Sequence, residues 1–284
     1  MDLNNSWVVI TGASRGIGVT IAEEFAKRKA NLILVARSMD RLEKVCAGLE
    51  KFGTTTRPIS FDLQNIGQIE KLVRKIYEIT PHVDILVNNA GLEKYCFFSE
   101  YHTADITSIL SVNLIAPMEL TRLLLPRMLD RKKGHIVNIS SLGGKVGEVF
   151  NSIYSASKGG IDLWTDALQH ELYGTGVNVS LVNPGYVTDS GMIHNIGLGT
   201  AFISGNCKAK NVSAAVIKCI SKRKNQVFVN SIPVRPIIIF KLLFPRLFGL
   251  LIRWGGVMKL NLAKVEKRKK IDQAASGRRH DVKG

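Results

Sequence analysis

Acidic residues are almost absent from the last 79 residues of this chain. Residues 206–284 hold three Asp or Glu and 19 Lys or Arg, whereas residues 1–205 hold 20 of each kind. The whole formal net charge of +16 therefore lies in the C-terminal segment. A split this sharp suggests two functional parts. The first part is balanced in charge, and the second is expected to be attracted to an anionic partner.

Cysteine and histidine are also scarce. The four cysteines form no CxxC pair, which argues against a disulfide framework and favours a reducing compartment. The six histidines show no HExxH or similar spacing, so we assign no metal. No basic and apolar leader precedes the first apolar run, so we expect no secretory signal and a cytoplasmic location. Low-complexity tracts are missing, and a hydrophobic content of 45% indicates a globular protein.

Short apolar runs alternate with amphipathic stretches through the first 230 residues. The runs predicted to be strands are 7–11, 31–36, 56–61, 84–88, 135–140, 178–183 and 226–230. Helices are predicted to begin near Gly16, Met39, Ile66, Ala104, Ser152 and Asn211. Because the apolar runs lack polar alternation, the strands should be buried on both faces. The sequence therefore predicts an α/β fold, a Rossmann-type doubly wound parallel sheet of about seven strands with helices on both faces.

The chain divides into three predicted regions. Residues 1–231 complete the sheet and form a catalytic domain. Residues 232–262 form an apolar and basic helical extension. Residues 263–284 are polar and basic, and we expect them to be a disordered tail.

A glycine-rich turn follows the first strand, in "VVITGASRGIGVTIAEEF". Gly12, Gly16 and Gly18 lack a Cβ, so the backbone can approach a pyrophosphate whose charge meets the helix N-terminus. Glycines also serve turns and tight helix packing, which is the plain alternative. The position of the turn in the first strand–turn–helix unit favours the dinucleotide site.

A second group of polar residues lies in "YSASK", residues 154–158. Tyr154 and Lys158 are four residues apart and share one helix face. A phenol with a pKa near 10 is a poor acid or base at neutral pH, and we expect the Lys158 ammonium to lower the pKa of Tyr154. Taken singly, each residue could have a structural role instead of a catalytic one, because buried hydroxyl groups commonly hydrogen-bond to the backbone and helical lysines commonly face water.

Six motifs in this order resemble those of the short-chain dehydrogenase/reductase family over roughly residues 5–230. They are "TGASRGIG" (11–18), "NNAG" (88–91), the asparagine at 113, "SS" before "LGG" (140–144), "YSASK" (154–158) and "NPGYVTD" (183–189). The resemblance implies an NAD(P)-dependent oxidoreductase that acts on CH–OH or C=O groups.

The resemblance also implies the catalytic roles. Tyr154 donates a proton to the carbonyl oxygen, and Lys158 holds the nicotinamide ribose and tunes the tyrosine. Ser141 hydrogen-bonds the substrate oxygen, whereas the adjacent Ser140 faces elsewhere. Asn113 completes a proton relay through water and Lys158. Asn88 helps to brace the central sheet.

The residues after the second strand indicate the cofactor. An acid there would bind the ribose 2′-OH of NAD, but Ala36, Arg37 and Ser38 carry no carboxylate. Arg15 and Arg37 suit the 2′-phosphate of NADP(H), because guanidinium groups bind phosphate in a bidentate manner. Asp62 matches a family position at the adenine. The residues expected to contact the cofactor are Gly12, Ser14, Arg15, Gly16, Ile17, Gly18, Arg37, Asp62, Asn89, Ala90, Gly91, Tyr154, Lys158, Pro184, Gly185, Val187 and Thr188.

The extension contains the apolar and basic stretch "RPIIIFKLLFPRLFGLLIRW", residues 235–254. As a membrane span over 236–258 it is marginal, because three internal cations and Pro245 offset the apolar residues. A helix lying on an anionic membrane surface fits better. A helix that forms part of the substrate wall or an oligomer contact is the alternative. An acidic acyl carrier could also use the charge, whereas nucleic acid is not expected.

The sequence thus predicts an NADPH-dependent reductase of an apolar ketone, a 3-oxoacyl or other lipid-like substrate. A dehydrogenase of a steroid or lipid alcohol is the rival within the class, and a membrane-associated NADP-binding scaffold without turnover is the rival outside it. Residues 189–205 are predicted to be a mobile substrate lid. The family resemblance implies a homodimer or homotetramer formed through helices at 105–130 and 152–173, contacts that the extension could block or extend.

Overall fold

The computed structural model of the chain describes residues 2–191 and 204–280, with side chains as far as residue 270. Most of the predicted lid therefore lies outside the described residues. The strands are β1 Trp7–Thr11, β2 Asn31–Ala36, β3 Thr56–Ser60, β4 Ile85–Asn88, β5 Gly134–Ile139, β6 Val177–Pro184, β7 Tyr186–Val187, β8 Asn206–Cys207 and β9 Gln226–Val229. The α-helices are α1 Ile17–Ala26, α2 Met39–Leu49, α3 Ile69–Ile79, α4 Thr103–Leu110, α5 Ala116–Asp130, α6 Ser152–Glu171, α7 Ala209–Lys222, α8 Val234–Leu243, α9 Pro245–Trp254 and α10 Val257–His280.

Seven strands form one parallel sheet in the order β3-β2-β1-β4-β5-β6-β9. The central strand β1 pairs on both sides, and Val8 lies beside Leu32 of β2 and Ile85 of β4. Each of these three side chains is fully buried. The predicted fold class is confirmed, and the predicted strand bounds agree with the structure to within one residue.

Helices cover both faces of the sheet because each presents an apolar stripe to it. In α3, for example, Ile69, Leu72, Val73 and Ile76 recur at helical spacing and are all buried. Helices α1, α2 and α7 pack on one face, and α3, α5 and α6 pack on the other. This layering leaves the carboxyl edge of the sheet open.

The order of the strands in the sheet reverses between β1 and β4. Strands β2 and β3 lie on one side of β1, and strands β4, β5 and β6 lie on the other. In open α/β sheets, ligands bind in the crevice at the carboxyl ends of the strands where the order reverses. The glycine-rich turn after β1 opens at this crevice.

The extension is not a single helix. It breaks at Phe244, just before Pro245, into α8 and α9 of 10 residues each. A helix of that length is about 15 Å long, roughly half the thickness of a bilayer core. The predicted alternative of a membrane span over 236–258 therefore has no continuous helix to form it. Among the described residues, one helical stretch, Thr103–Asp130, is long and apolar enough to cross a membrane, and half of its apolar window is buried in the fold.

The segment that the sequence predicts to be a disordered tail, from residue 263, is helical in the structure as far as residue 280. Helix α10 runs through this segment to His280. It is held to the domain because Lys264 and Val265 are buried, and Val265 packs in a small apolar cluster with Tyr95 and Phe150. The composition of the segment could not reveal these contacts, which involve residues more than 100 positions earlier in the chain.

Candidate active site

One cavity, here called the cofactor groove, lies at the carboxyl ends of β1 to β4. Its walls contain most of the residues that the sequence assigns to cofactor binding. These are Gly12, Ser14, Arg15, Gly16, Ile17, Gly18, Arg37, Asp62, Asn89, Ala90 and Gly91. The structure therefore brings together residues from four separate β–α connections.

The glycines of the groove are required by close backbone contacts. A Cβ on Gly12 would lie 2.8 Å from the Cα of Ala90, and one on Gly18 would lie 2.3 Å from the carbonyl oxygen of Gly12. Gly12 also has a φ of +67°, a conformation that side-chain-bearing residues rarely adopt. The turn is thus packed closely against neighbouring backbone at Gly12 and Gly18, and a glycine-rich turn before a helix N-terminus is suited to a pyrophosphate.

Thr11 and Asn89 fix the two connections that meet in the groove. The hydroxyl oxygen of Thr11 accepts hydrogen bonds from the backbone N–H groups of Asn89 (3.0 Å) and Ala90 (3.1 Å). The side-chain amide of Asn89 donates to the carbonyl oxygen of Thr11 at 2.9 Å. Sequence reasoning did not single out Thr11, although the residue opens the motif. Nearby, Asn88 donates to the side chain of Asn138 at 2.8 Å and braces β4 against β5 as expected.

Three exposed arginines, Arg15, Arg37 and Arg41, line the outer end of the groove. Within the described part of the chain none of the three forms an ion pair. Arg41 was missed by sequence reasoning because it lies one turn into α2, beyond the end of the strand. Asp62 also lines the groove, and its carboxylate accepts a hydrogen bond from the backbone N–H of Gln64 at 3.0 Å. The groove can therefore hold an anionic group at its outer end.

A second cavity, here called the catalytic pocket, contains Ser141, Tyr154 and Lys158. It also contains Pro184, Gly185 and Val187 from the predicted nicotinamide motif. The cofactor groove and the catalytic pocket share walls, including Ile17, Asn89 and Gly91. One extended dinucleotide can therefore reach from the arginines to the catalytic tyrosine.

Backbone contacts orient two of the catalytic side chains, Lys158 and Ser141. The Lys158 ammonium is buried and donates to the carbonyl oxygen of Ile139 at 2.8 Å. The Ser141 hydroxyl oxygen accepts from the backbone N–H of Gly143 at 3.0 Å. Ser140 turns away and donates to the carbonyl oxygen of Lys158 at 3.2 Å, as predicted.

The electrostatics of Tyr154 differ from the expectation drawn from the sequence. Burial raises the pKa of Tyr154, ionisation of the neighbouring Glu93 carboxyl raises it further, and a hydrogen bond with Ser141 opposes the rise. Burial also lowers the pKa of Lys158 to about 8. The Lys158 ammonium lies 5.8 Å from the centre of the Tyr154 ring. The expected lowering of the pKa of Tyr154 by Lys158 is therefore wrong for the protein groups alone, because burial outweighs it.

Two predicted site residues line neither cavity. The Asn113 side chain is buried, accepts from the backbone N–H of Leu92 at 2.7 Å, and donates to Leu92 and to Ser157. Its part in a proton relay stays a prediction. The hydroxyl and backbone N–H of Thr188 both donate to the carbonyl oxygen of Cys207, and its contact with a carboxamide also stays a prediction.

The extension forms the apolar wall of the catalytic pocket. Val234 and Ile237 of α8, Phe248 and Ile252 of α9, and Val257 of α10 all line it. The structure thus places the extension over the catalytic residues, which is one of the alternatives left open by the sequence. Sequence reasoning also missed three residues of this pocket, Glu93, Glu148 and Tyr186.

Comparisons with known proteins point to one family. A model of the short chain dehydrogenase family matches residues 6–200. A ketoacyl reductase, HetN, from Nostoc is 42% identical over 273 residues, which cover 94% of this chain and 95% of the relative.

Solved structures agree with that match. A metagenomic short-chain oxidoreductase in complex with NADP has a TM-score of 0.71 and 28% identity, with 82% of this chain and 100% of the other covered. A short-chain dehydrogenase from Sphingobium yanoikuyae in complex with NADPH has a TM-score of 0.74 and 28% identity, with coverages of 87% and 95%.

Proposed function

The chain belongs to the short-chain dehydrogenase family, and from that premise we propose that it is an NADPH-dependent reductase of a ketone on an apolar, 3-oxoacyl or other lipid-like substrate. The observation that carries this proposal is the catalytic pocket, where Ser141, Tyr154 and Lys158 lie beneath an apolar wall. The similarity to a ketoacyl reductase over nearly the whole chain supports the direction of the reaction.

The residues of the cofactor groove fit NADPH. The turn around Gly12 and Gly18 packs closely on neighbouring backbone, and a glycine-rich turn that leads into a helix N-terminus suits the pyrophosphate. Arg15, Arg37 and Arg41 offer guanidinium donors for a 2′-phosphate. When bound, NADPH supplies the hydride. Similar proteins of known structure carry NADP or NADPH in this fold.

The protein groups deliver the proton and hold the ketone. The buried hydroxyl of Tyr154 keeps its proton at neutral pH, because burial raises its pKa. It donates that proton to the ketone oxygen, which the hydroxyl of Ser141 also binds. Lys158, anchored on the Ile139 carbonyl, binds the ribose next to the nicotinamide. This set of roles explains why Tyr154 and Lys158 need one buried helix face.

The apolar wall indicates the kind of ketone. Ile237, Phe248 and Ile252 present hydrocarbon to the pocket, so a substrate chain gains stability by burial there. A ketone with an acyl or lipid tail fits this wall better than a small polar ketone.

A chain-length series tests the proposal. NADPH oxidation is measured with ketones that differ only in tail length. Each CH₂ buried contributes about 0.8 kcal/mol, so kcat/KM is expected to rise about fourfold per CH₂ until the wall is covered. Phe248→Ala should flatten the series, whereas Phe52→Ala, which alters a residue outside the pocket, should leave its slope unchanged. A slope of zero in the unmodified enzyme contradicts an apolar substrate.

The outer face of the extension supports a location on a membrane surface. Side chains on this face are large, apolar and exposed, and here they are called the outer apolar face: Ile239, Leu242, Leu243, Phe244, Leu247, Leu250, Leu251, Trp254 and Met258. Cations Arg235, Arg246 and Arg253 are exposed on the same helices, and no acid occurs between residues 190 and 265. Exposed apolar side chains with cations on the same helices match an anionic phospholipid surface. Helices α8 and α9, which also line the catalytic pocket, would then lie between the bilayer and that pocket.

Flotation with liposomes tests the membrane location. The variant Leu242→Ser, Leu243→Ser, Trp254→Ser is expected to bind anionic liposomes about 100-fold more weakly, because each change removes roughly 1 kcal/mol of apolar burial. Tyr173→Ser is a matched control, since Tyr173 is 91% exposed in the turn after α6, away from the extension. Unchanged binding by the triple variant contradicts this location. Loss of binding to an acidic acyl carrier protein, with liposome binding intact, would assign the face to that partner instead.

A further inference from the structure

The catalytic pocket contains two carboxyl groups that the proton transfer to a ketone does not use. Glu93 follows the "NNAG" connection after β4, and Glu148 lies in the loop between β5 and α6. Both line the pocket together with Tyr154. Two acids in one pocket can take different roles when their environments hold their protons differently.

The carboxylate of Glu148 is fully occupied by protein donors. The hydroxyl of Tyr95 donates to its Oε1 at 2.5 Å, and the hydroxyl of Tyr186 donates to the same oxygen. The side-chain amide of Asn151 donates to Oε2 at 3.1 Å. The ammonium of Lys264 lies 4.0 Å from Oε1. Glu148 therefore has little capacity left for a substrate.

Helix α10 supplies the cation of this group. Lys264 is fully buried, donates to the Tyr95 hydroxyl at 3.1 Å, and lies 4.3 Å from the centre of the Tyr186 ring. One turn earlier, the side-chain amide of Asn261 donates to the carbonyl oxygen of Val149 at 3.1 Å. The C-terminal helix thus holds the loop that carries Glu148, and it is part of the wall of the active site.

The carboxyl group of Glu93, in contrast to that of Glu148, has an oxygen without a hydrogen-bond donor among the described residues. Its Oε1 is buried and has no hydrogen-bond partner in the described part of the chain. Burial raises the pKa of Glu93 to about 8, and the charge of Glu148 adds to the rise, whereas the charge of Lys264, a hydrogen bond with the Asn151 side chain and the charge of Arg268 oppose it. Glu93 is therefore a protonated acid at neutral pH, and a protonated carboxyl can donate a hydrogen bond. An unpartnered buried polar atom requires an explanation, and beside a ligand pocket a bound ligand can supply the partner.

We propose that Glu93 is a specificity-determining residue whose carboxyl group donates a hydrogen bond to the acyl carbonyl oxygen of a 3-oxoacyl substrate while Tyr154 and Ser141 hold the neighbouring ketone. The proposal rests on the proposed function and names the substrate class that the pocket prefers. A ketone without the second carbonyl leaves the Glu93 carboxyl unpaired, and sites with an unpaired buried polar group discriminate strongly against such a ligand.

The test compares two ketones of equal chain length, a medium-chain 3-oxoacyl thioester and the ketone that lacks the thioester carbonyl. The measured quantity is the ratio of their kcat/KM values. Glu93→Leu is expected to lower this ratio about tenfold, the loss of one hydrogen bond to a buried donor. Glu93→Gln keeps an N–H donor and should hold the ratio within about threefold of the unmodified enzyme. Glu171→Gln, an exposed acid at the end of α6, is the matched control.

The same ratio has a defined pH dependence. It should fall as the pH rises through about 8, because ionised Glu93 no longer donates, and Glu93→Gln should make it flat. The titratable and charged groups that face Glu93 are Tyr95, Tyr101, Glu148, Tyr154, Lys158, Lys264 and Arg268. Lys158 and Tyr154 act on both ketones, so their titration cancels in the ratio.

Two outcomes overturn the proposal separately from the proposed function. If Glu93→Leu lowers kcat/KM for both ketones by the same factor, Glu93 has a structural role and no part in specificity. If the ratio of the two kcat/KM values falls with rising pH in Glu93→Gln as it does in the unmodified enzyme, Glu93 likewise has no part in specificity. If the unmodified enzyme oxidises NADPH with neither ketone, the proposed function itself fails.

Discussion

Replacement of Tyr154 by phenylalanine is expected to lower kcat for ketone reduction by about 100- to 10,000-fold, the range that general acid catalysis contributes. The change removes one hydroxyl from a side chain that is 7% exposed, so the packing of α6 is retained. NADPH affinity should change little, because the glycines and arginines of the cofactor groove are untouched. Steady-state NADPH oxidation and NADPH binding, measured by fluorescence on the same preparation, separate the two effects.

A matched control for this variant is Tyr173→Phe, which makes the same change at a side chain that is 91% exposed. It should leave kcat within about twofold of the unmodified value, as surface changes usually do. A Tyr154→Phe enzyme that retains full kcat with every accepted ketone would show that another group delivers the proton. Loss of NADPH binding in that variant would show instead that the fold of the site had changed.

Arg37→Asp is expected to weaken NADPH binding about 100-fold while NADH binding holds or improves. The guanidinium of Arg37 lines the cofactor groove where a 2′-phosphate would lie, and a charge-assisted contact is worth roughly 1.5–3 kcal/mol. An aspartate adds repulsion to the phosphate but can accept a hydrogen bond from a ribose 2′-OH. Dissociation constants for both cofactors, measured at one ionic strength, give the change in preference.

Arg57→Asp is the control for that variant, because Arg57 is exposed on β3 outside the groove. It makes the same change in net charge and should alter both dissociation constants equally or not at all. An equal loss of NADPH and NADH affinity in Arg37→Asp would place Arg37 away from the 2′ position. The preference would then depend on Arg15 or Arg41.

The strands and the cofactor turn could be predicted from the sequence because their causes are local. Unbroken Val, Ile and Leu runs such as residues 32–35 have few structures open to them other than a strand buried on both faces. The glycine spacing of the first turn also reflects a local need, since a Cβ at Gly18 would collide with the neighbouring carbonyl oxygen. Local patterns of this kind need no knowledge of distant residues.

The electrostatics of the catalytic tyrosine could not be predicted in the same way. The spacing of Tyr154 and Lys158 correctly indicates one helix face, but the pKa of Tyr154 depends on burial by other elements and on whether the neighbouring Glu93 carboxyl is ionised. Desolvation and the proximity of an ammonium act in opposite directions on a phenol. Which of them dominates depends on the depth of the pocket, and the extension supplies part of that depth.

The role of the C-terminal helix was the least accessible feature. Lys264 lies in a segment with many cations and few acids, where a lysine is expected to face water. The structure buries it against Tyr95, which is 169 positions earlier in the chain. A buried lysine requires a carboxylate and further hydrogen bonds. Those partners, Glu148 and two tyrosines, are not adjacent to each other in the sequence, so no local pattern marks them.

The extension contains one feature that its sequence indicates and one that depends on packing against distant residues. Three internal cations and Pro245 argued against a single membrane span in the sequence, and Pro245 begins α9 in the structure, because proline starts a helix more readily than it continues one. The division of its side chains between the catalytic pocket and the outer apolar face depends on how α8 and α9 pack on the domain. The hydrophobic content of the segment alone does not indicate which side chains face the catalytic pocket and which face outward.

The central claim is that the chain reduces a 3-oxoacyl or lipid-like ketone with NADPH and with the proton of Tyr154. The most direct measurement is the stoichiometry of the reaction of the unmodified full chain with a medium-chain 3-oxoacyl thioester. NADPH oxidation is followed by absorbance, and the 3-hydroxyacyl product is quantified by mass spectrometry. We expect one hydroxyacyl product for each NADPH oxidised, and no product with Tyr154→Phe on the same timescale. Binding of NADPH without any product from ketones across the chain-length series would contradict the account and favour a binding protein without turnover.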